Sequence, residues 1–229
     1  MAKTYLEPDE VEKLEEAAVY TRDKLLIRLL WRLGCRISEV LGICVKDIDF
    51  SRETVTIEHL KVRVKLSCPE CGTRLSKNAK FCPGCGDRVE KAVAEEKDHH
   101  RKRTLPLDKE TIVMLKQYVA DGGPVDIGGK KMVFGLKRRQ ADNIVRDCAA
   151  KAGLGTLVNP DTGEKRGVSP HRLRDAFAVN AVKADDSGDG LRLLQEHLGH
   201  TSIVTTMKYR KVAGEEHREW YDNIWKQRN

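Results

Sequence analysis

The sequence predicts a mainly α-helical domain with one small antiparallel sheet near its start, which is an α+β fold. Apolar residues recur at helical spacing through most of the 229 residues. Residues 47–60 alternate apolar and polar side chains on either side of a turn, as antiparallel strands do. Two Cys-x-x-Cys pairs follow, and they predict a small metal-bound insert between the strands.

Three helices are predicted before the sheet. Pro8 and the acidic residues after it are typical of a helix N-terminus, because proline is tolerated there and acids favour the positive end of the helix dipole. The second helix begins at Thr21 and ends at Gly34, and its leucines cover most of its circumference, which predicts a buried helix. A short third helix covers residues 36–43.

The predicted sheet comes next along the chain. One strand leads to a turn at residues 51–53, and the second strand places Val55 and Ile57 on one face. A third strand ends at Pro106. Helices are then predicted at residues 108–120, 137–154, 171–184, 191–199, 202–209 and 215–227, with a loop rich in Gly, Asn and Pro at 154–170.

The charge is concentrated in one segment. The chain has a formal net charge of +7, and residues 61–103 hold twelve Lys or Arg against six Asp or Glu. Such an excess favours an anionic partner, although ordinary basic solubility is the alternative. Aromatic residues make up only 5% of the chain, which argues against a stacking platform for single-stranded nucleic acid.

The expected compartment follows from two absences in the sequence. No run of 18 apolar residues is present, so we expect no membrane-spanning helix. The N-terminus becomes acidic at once and has no apolar signal region, which favours the cytoplasm. In that compartment, the seven cysteines are expected to be reduced or metal-bound.

Four of these cysteines predict a structural zinc site. They form two Cys-x-x-Cys pairs separated by ten residues, and each pair is followed by a glycine, Gly72 or Gly86, that permits a tight turn. Four thiolates suit tetrahedral Zn²⁺ and leave no open position for substrate. The insert is also too small to fold without such a staple. The predicted ligands are Cys68, Cys71, Cys82 and Cys85.

Five polar residues together suggest phosphate chemistry. Two arginines can grip phosphate oxygens with forked guanidinium groups, and two histidines can bind the same group or move protons. A tyrosine becomes a nucleophile when a base and a cationic field activate it. Taken singly, each residue has an ordinary structural explanation, but together they suit attack on a phosphodiester without a metal. The residues are Arg36, His171, Arg174, His200 and Tyr209.

The sequence resembles the tyrosine recombinase (phage integrase) family. Four ordered pieces carry the resemblance: "GCRISEVLGI", the segment that ends in "RKRTLPL", "HRLRDAF" and "HLGHTSIVTTMKYRKV". The resemblance covers nearly the whole chain outside the insert. It implies that residues 1–229 form a catalytic domain of this type, interrupted by a four-cysteine zinc ribbon at residues 66–98.

The resemblance also implies roles for the five residues. Tyr209 would attack the scissile phosphate and form a 3′-phosphotyrosyl bond, which frees a 5′-hydroxyl. Arg36 and Arg174 would hold the phosphate in place of a metal ion. His171 would accept the tyrosine proton, and His200 would hydrogen-bond a phosphate oxygen. The bond energy kept in the phosphotyrosine would let a second 5′-hydroxyl reverse the step.

The remaining roles are assigned by the same resemblance. Glu39 would orient the first arginine or its neighbours, and a lysine of the hairpin would protonate the leaving oxygen. Lys61 fits the usual separation from the first arginine best, while Lys65 and Lys102 stay open. Alternatively, all of these cations contact the DNA backbone. The expected DNA-contacting residues are Arg63, Lys65, Arg101, Lys102 and Arg103.

The function implied is site-specific recombination or integration on double-stranded DNA, with self-association into a tetramer on the DNA. The alternatives are a DNA-binding module that has lost recombination and a topoisomerase-like enzyme that relaxes DNA. We expect the N-terminal clamp of the family to be missing, so a separate partner protein that supplies it is a further expectation. Residues 214–229 are expected to dock on a neighbouring subunit or, alternatively, to pack on their own domain.

Overall fold

The computed structural model describes residues 3–58, 63–76, 78–97, 102–159 and 162–212. The chain forms two compact units. The larger unit contains Met1–Ile57 and Arg103–Asn229, and the insert unit contains Glu58–Lys102. Among the described residues, none of the helices combines the length and the apolar composition needed to cross a membrane.

Helices make up most of the larger unit, which confirms the predicted fold class. The predicted helix at residues 215–227 lies outside the described part of the chain. The helices are α1 (Pro8–Glu16), α2 (Thr21–Arg32), α3 (Ile37–Leu41), α4 (Lys109–Ala120), α5 (Arg138–Lys151), α6 (Pro170–Ala184), α7 (Gly188–Leu198) and α8 (Ile203–Val212), with a short 3₁₀ helix at Val45–Asp47.

Helix α2 lies at the centre of the core, as its leucines predict. It packs against α1, α4 and α6. Arg28, a charged residue of this helix, is buried with the leucines. Its guanidinium lies 3.2 Å from a carboxylate oxygen of Glu15 and 2.7 Å from one of Glu110. These two acids explain how a charged side chain is accommodated in the core.

The strands are β1 (Ile48–Asp49), β2 (Thr54–Glu58), β3 (Arg63–Ser67), β4 (Arg74–Leu75), β5 (Val93–Lys97), β6 (Lys102–Pro106), β7 (Val125–Ile127), β8 (Lys130–Met132), β9 (Leu157–Val158) and β10 (Lys165–Arg166). The predicted sheet has the order β1-β2-β6. Val55 and Ile57 of β2 are buried, as their alternation predicts.

Two hairpins were not predicted. Strands β7 and β8 pair around Gly128 and Gly129, whose φ angles of 60° and 75° suit a two-residue turn. Strands β9 and β10 pair inside the segment interpreted as a loop. These strands have only two or three residues and most of their side chains are exposed, so they lack the alternating burial that a periodicity analysis detects.

The insert unit has its own antiparallel sheet of order β4-β3-β5. The buried residues of its small cluster are Cys68, Leu75 and Cys82. Such a cluster buries too little apolar surface to stabilise a fold by itself. The cysteines must therefore add a stabilising interaction besides packing, such as the predicted binding of a metal ion.

The break between α2 and α3 depends on Gly34. Its φ of +54° is a backbone conformation that side chains disfavour. A Cβ atom at this position would lie 2.3 Å from Cδ1 of Phe177 on α6. The glycine therefore ends α2, lets α6 approach closely, and turns the chain so that Arg36 begins the next helix.

Candidate active site

One cavity of the larger unit brings together the five residues of the predicted phosphate site. It has a volume of about 1250 Å³, and Arg36, His171, Arg174, His200 and Tyr209 all line it. They come from the start of α3, from α6, from the α7–α8 connection and from α8. Residues up to 173 positions apart in the sequence thus share one concave surface.

Arg174 is the most deeply buried of the five. It is 2% exposed, and its two terminal nitrogens donate to the carbonyl oxygens of Gly34 at 2.7 Å and Leu198 at 2.8 Å. One of these nitrogens also lies 3.0 Å from Nε2 of His200. Burial, and then the charge of Arg36, lowers the pKa of Arg174. A buried guanidinium with no carboxylate among these contacts favours the arrival of an anion.

His200 is a neutral imidazole in this arrangement. Burial first, and then the charges of Arg174 and Arg36, lowers its pKa to about 4. Its Nδ1 lies 2.9 Å from the hydroxyl of Thr206, a residue of α8 that is fully buried. Since arginine can only donate, Nε2 is the acceptor toward Arg174, and the proton is therefore on Nδ1 and is donated to Thr206.

Glu39 orients two arginines with one carboxylate. Oε1 accepts from Nη1 of Arg36 at 3.0 Å, and Oε2 accepts from the backbone N–H of Arg36 at 3.0 Å. Arg103 approaches the same carboxylate with both terminal nitrogens, at 2.8 and 3.4 Å. The Glu39 side chain is 1% exposed. The carboxylate thus holds Arg36 at the cavity while it caps the N-terminus of α3.

Arg103 faces the interior of the larger unit, although the sequence placed it among the DNA contacts. Its side chain is 14% exposed, and a terminal nitrogen lies 3.5 Å from the sulfur of Cys35 as well as near Glu39. In the described contacts, Arg103 and Arg36 both donate to the carboxylate of Glu39.

The other expected DNA-contacting residues are less fully described. Lys102 is exposed in β6. Arg63 and Lys65 belong to β3, of which only the backbone is described at these positions. Lys61, the first choice for the general acid, and Arg101 lie outside the described residues.

The nucleophile candidate contacts a carboxylate. The hydroxyl of Tyr209 donates to Oδ1 of Asp175 at 3.1 Å. Burial, and then the charge of Asp175, raises the pKa of Tyr209, while Arg174 acts in the opposite direction. The His171 side chain is 74% exposed, and its Nε2 lies 3.8 Å from the same Oδ1 atom. His171 therefore lies near the carboxylate that accepts from the tyrosine.

Sequence reasoning missed three residues of the site. Asp175 directly follows Arg174 in "HRLRDAF", and Thr206 lies one helical turn before Tyr209, so their positions could have drawn attention to them. His197 carries no such signal. Its Nε2 donates to the carbonyl of Leu33 at 3.0 Å, and its ring stacks on that of Phe177 with centroids 4.9 Å apart. These two contacts hold α7 against the break between α2 and α3.

A second candidate site lies in the insert unit. The sulfur atoms of four cysteines lie within 4.8 Å of one another and could hold a metal ion. The N–H of Gly72 donates to the carbonyl of the first cysteine at 3.0 Å, and Gly86 repeats this bond in the second loop at 2.9 Å. Both glycines have positive φ. The four cysteines are those predicted: Cys68, Cys71, Cys82 and Cys85.

Comparison with known proteins identifies the family of this chain. The model of the phage integrase family matches residues 4–216. Tyrosine recombinase XerD of Neisseria meningitidis serogroup B is 27% identical over 214 residues, which are 90% of this chain and 53% of the relative. The chain spans about half the length of the curated relatives it matches.

Solved structures show the same fold. The crystal structure of XerA recombinase matches with a TM-score of 0.65 at 21% identity, over 98% of this chain and 66% of that one. The post-cleavage complex of the XerH site-specific recombinase with palindromic difH substrate matches with a TM-score of 0.62 at 20% identity, over 99% and 54%. At these identities, the likeness is one of fold.

Proposed function

Because this chain belongs to the phage integrase family, we propose that it is a site-specific DNA recombinase or integrase that acts through a 3′-phosphotyrosyl intermediate. Its fold is that of tyrosine recombinase catalytic domains. The observation that carries the proposal is the cavity where Arg36, Arg174, His200 and Tyr209 meet from separate elements.

The proposed substrate group is a phosphodiester of duplex DNA. Arg174 offers a buried guanidinium held by two carbonyls, and Arg36 is held toward the cavity by Glu39. Donors that are already fixed in place stabilise developing charge at little reorganisation cost. Two guanidinium groups supply the positive charge that the phosphate needs, so the proposed chemistry requires no metal ion.

His200 would donate Nε2–H to a phosphate oxygen, which requires the other tautomer of its ring. Thr206 permits this change because a hydroxyl can either accept from Nδ1–H or donate to an unprotonated Nδ1. A phosphate oxygen that accepts from both Arg174 and Nε2–H would replace the direct contact between these two side chains. The contact between Arg174 and His200 at 3.0 Å therefore marks where one phosphate oxygen would enter.

The proposed reaction has two reversible steps. The Tyr209 oxygen attacks phosphorus, and the bond to the 5′-oxygen breaks. The leaving oxygen takes a proton, for which Lys61 remains our first proposal, with Lys65 and Lys102 as the alternatives. Attack by a second 5′-hydroxyl on the phosphotyrosine then restores a DNA strand without external energy.

We also propose that the four cysteines hold one structural Zn²⁺ in a ribbon at residues 66–98. Tetrahedral zinc with bonds of about 2.3 Å to sulfur requires sulfurs about 3.8 Å apart. The sulfurs of Cys68 and Cys85 are 3.7 Å apart, and those of Cys71 and Cys82 are 3.4 Å apart. Four soft ligands fit zinc and complete its coordination.

Further cations around the cavity support a DNA partner. Arg138, Arg166 and Lys208 line it together with the two arginines of the site. Such cations position a phosphate backbone without reading its sequence. Assembly of a tetramer on the DNA remains a proposal.

The test is a covalent adduct between the protein and DNA. A pool of nicked duplexes with randomised sequence provides substrate without knowledge of the target site, and the nick traps the cleaved state. We expect an adduct that survives denaturation with the wild type and none with Tyr209→Phe. Equal behaviour of the two proteins would contradict the proposed function.

A further inference from the structure

The hydroxyl of Tyr209 has one described hydrogen-bond acceptor, and it is a carboxylate. The phenol donates to Oδ1 of Asp175 at 3.1 Å, across the packed helices α8 and α6. An ionised carboxylate can only accept, so the direction of this bond is fixed. The bond joins the reacting oxygen directly to a base of the protein.

The two carboxylate oxygens of Asp175 have different partners. Oδ2 lies 3.3 Å from Nη1 of Arg172, whose side chain is 13% exposed. Oδ1 faces the tyrosine hydroxyl and lies 3.8 Å from Nε2 of His171. The Asp175 side chain is itself 16% exposed. Arg172 thus fixes the orientation of the carboxylate, and Oδ1 lies between the phenol and an exposed imidazole.

His171 is less well placed to take the proton directly. Its side chain is 74% exposed, and its Nε2 lies 3.8 Å from Oδ1 of Asp175. Burial raises the pKa of Tyr209, so almost no phenolate exists near neutral pH. A base in contact with the phenol must therefore accept the proton during the attack. Asp175 meets that geometric requirement, and His171 can pass the proton on to solvent.

We propose that Asp175 is a catalytic residue that accepts the proton of Tyr209 directly, with His171 as its exit to solvent. The inference rests on the proposed function. As the Tyr209 oxygen bonds to phosphorus, its O–H bond breaks and the proton moves to Oδ1. The bond from phosphorus to the 5′-oxygen breaks, and that oxygen takes a proton from a lysine ammonium or a water. In rejoining, Asp175 takes a proton back from solvent through His171 and gives it to the departing phenolate.

The first test is Asp175→Asn, measured by the rate of adduct formation with the randomised nicked duplexes. The amide oxygen still accepts the tyrosine hydrogen bond, but it cannot take the proton. We expect a rate roughly 10²–10⁴-fold below that of the wild type. Asp189→Asn is the matched control, since that carboxylate lies on α7 beside Arg192 and its side chain is 90% exposed. It should react at the wild-type rate.

The second test separates proton acceptance from positioning. Asp175→Ala leaves space for a small carboxylate, and added formate should restore adduct formation in proportion to its concentration. A merely structural aspartate would give no such rescue. Circular dichroism establishes that each variant is folded. A wild-type rate in Asp175→Asn, or a folded Asp175→Ala that formate does not restore, would overturn the inference.

A third variant decides the matter if neither Asp175 variant folds. His171 is exposed, so His171→Asn should fold, and we expect it to react within about tenfold of the wild type because it lies one step beyond the base. A loss down to the level of Tyr209→Phe would make His171 the base and overturn our assignment. If the wild type forms no Tyr209-dependent adduct, the proposed function fails together with the inference. A Tyr209-dependent adduct that Asp175→Asn leaves unchanged rejects the inference alone.

Discussion

At the scale of single residues, the buried carboxylate of Glu39 determines how both Arg36 and Arg103 are held. Glu39→Gln should lower the free energy of unfolding by about 3–5 kcal/mol, because it leaves the guanidinium of Arg103, whose side chain is 14% exposed, without its counter-charge. Urea denaturation measures the change. Glu196→Gln is the control, since Glu196 pairs with Arg192 at 2.7 Å in an exposed position. That surface pair should contribute no more than about 1 kcal/mol.

A small effect of Glu39→Gln, equal to that of the exposed control, would show that Arg36 and Arg103 find other acceptors when the charge is removed. The shared carboxylate would then contribute little to the stability of the folded protein. It would no longer account for the orientation of Arg36 in the candidate site.

His200 predicts a pH dependence of stability. Its pKa is lowered to about 4 in the folded protein, whereas an unfolded histidine has a pKa of about 6.5. Between these values the unfolded chain binds more protons, so stability is complete above about pH 6.5 and falls as the pH drops toward 4. His197 contributes in the same direction, because burial lowers its pKa as well.

The measurement is the urea midpoint of the wild type and of His200→Asn from about pH 7.5 to about pH 4.5. The variant should lose less stability over this interval because it lacks one proton-binding group in the unfolded state. Parallel curves would mean that His200 has the same pKa in the folded and the unfolded protein.

At the scale of secondary structure elements, the break between α2 and α3 positions Arg36, and it depends on a glycine. Gly34→Ala combines a strained φ of +54° with a Cβ that would lie 2.3 Å from Phe177. Gly153→Ala is matched in backbone, with φ +67° and nothing within 4 Å. We expect about 1–2 kcal/mol of lost stability in Gly153→Ala, from the left-handed conformation alone.

Gly34→Ala should cost clearly more than this, because the steric clash adds to the strain. Urea denaturation of both variants gives the comparison. Equal losses would show that α6 moves aside without cost, and the close approach of α6 would then not be what selects glycine.

At the scale of the whole molecule, the two units should respond differently to metal removal. The insert unit has a small cluster of buried residues, whereas the larger unit has an extensive apolar core. A chelator should therefore unfold the insert unit and leave α2 protected from hydrogen exchange. Native mass spectrometry should find one Zn²⁺ per chain, lost in Cys68→Ser and kept in Cys148→Ser. Loss of protection throughout the chain would contradict independent folding of the two units.

The concentration of basic residues at 61–103 leads to a prediction about DNA affinity. If the insert contacts phosphates, a variant with Cys68→Ser and Cys71→Ser should bind all DNA sequences more weakly. It should also show a shallower slope of log affinity against log salt. Fluorescence anisotropy over a range of salt concentrations measures both. Identical slopes would favour docking of a partner protein on the insert.

The sequence by itself determined the features that depend on local spacing. These features are the helical periodicity, the turn at residues 51–53 and the paired cysteines. Each of them involves residues close together in the chain. The same local patterns singled out Arg36, Arg174, His200 and Tyr209, which the structure places in one cavity. The family resemblance assigned their roles, and those roles remain proposals.

Only the tertiary structure decided which partners these residues have. Arg103 reaches Glu39 across 64 positions, and Tyr209 reaches Asp175 across 34. No periodicity encodes such pairs, because they depend on how packed helices bring distant side chains together. The packing of α8 on α6 therefore determined that the tyrosine, although it lies among cations in the sequence, donates its proton toward a carboxylate.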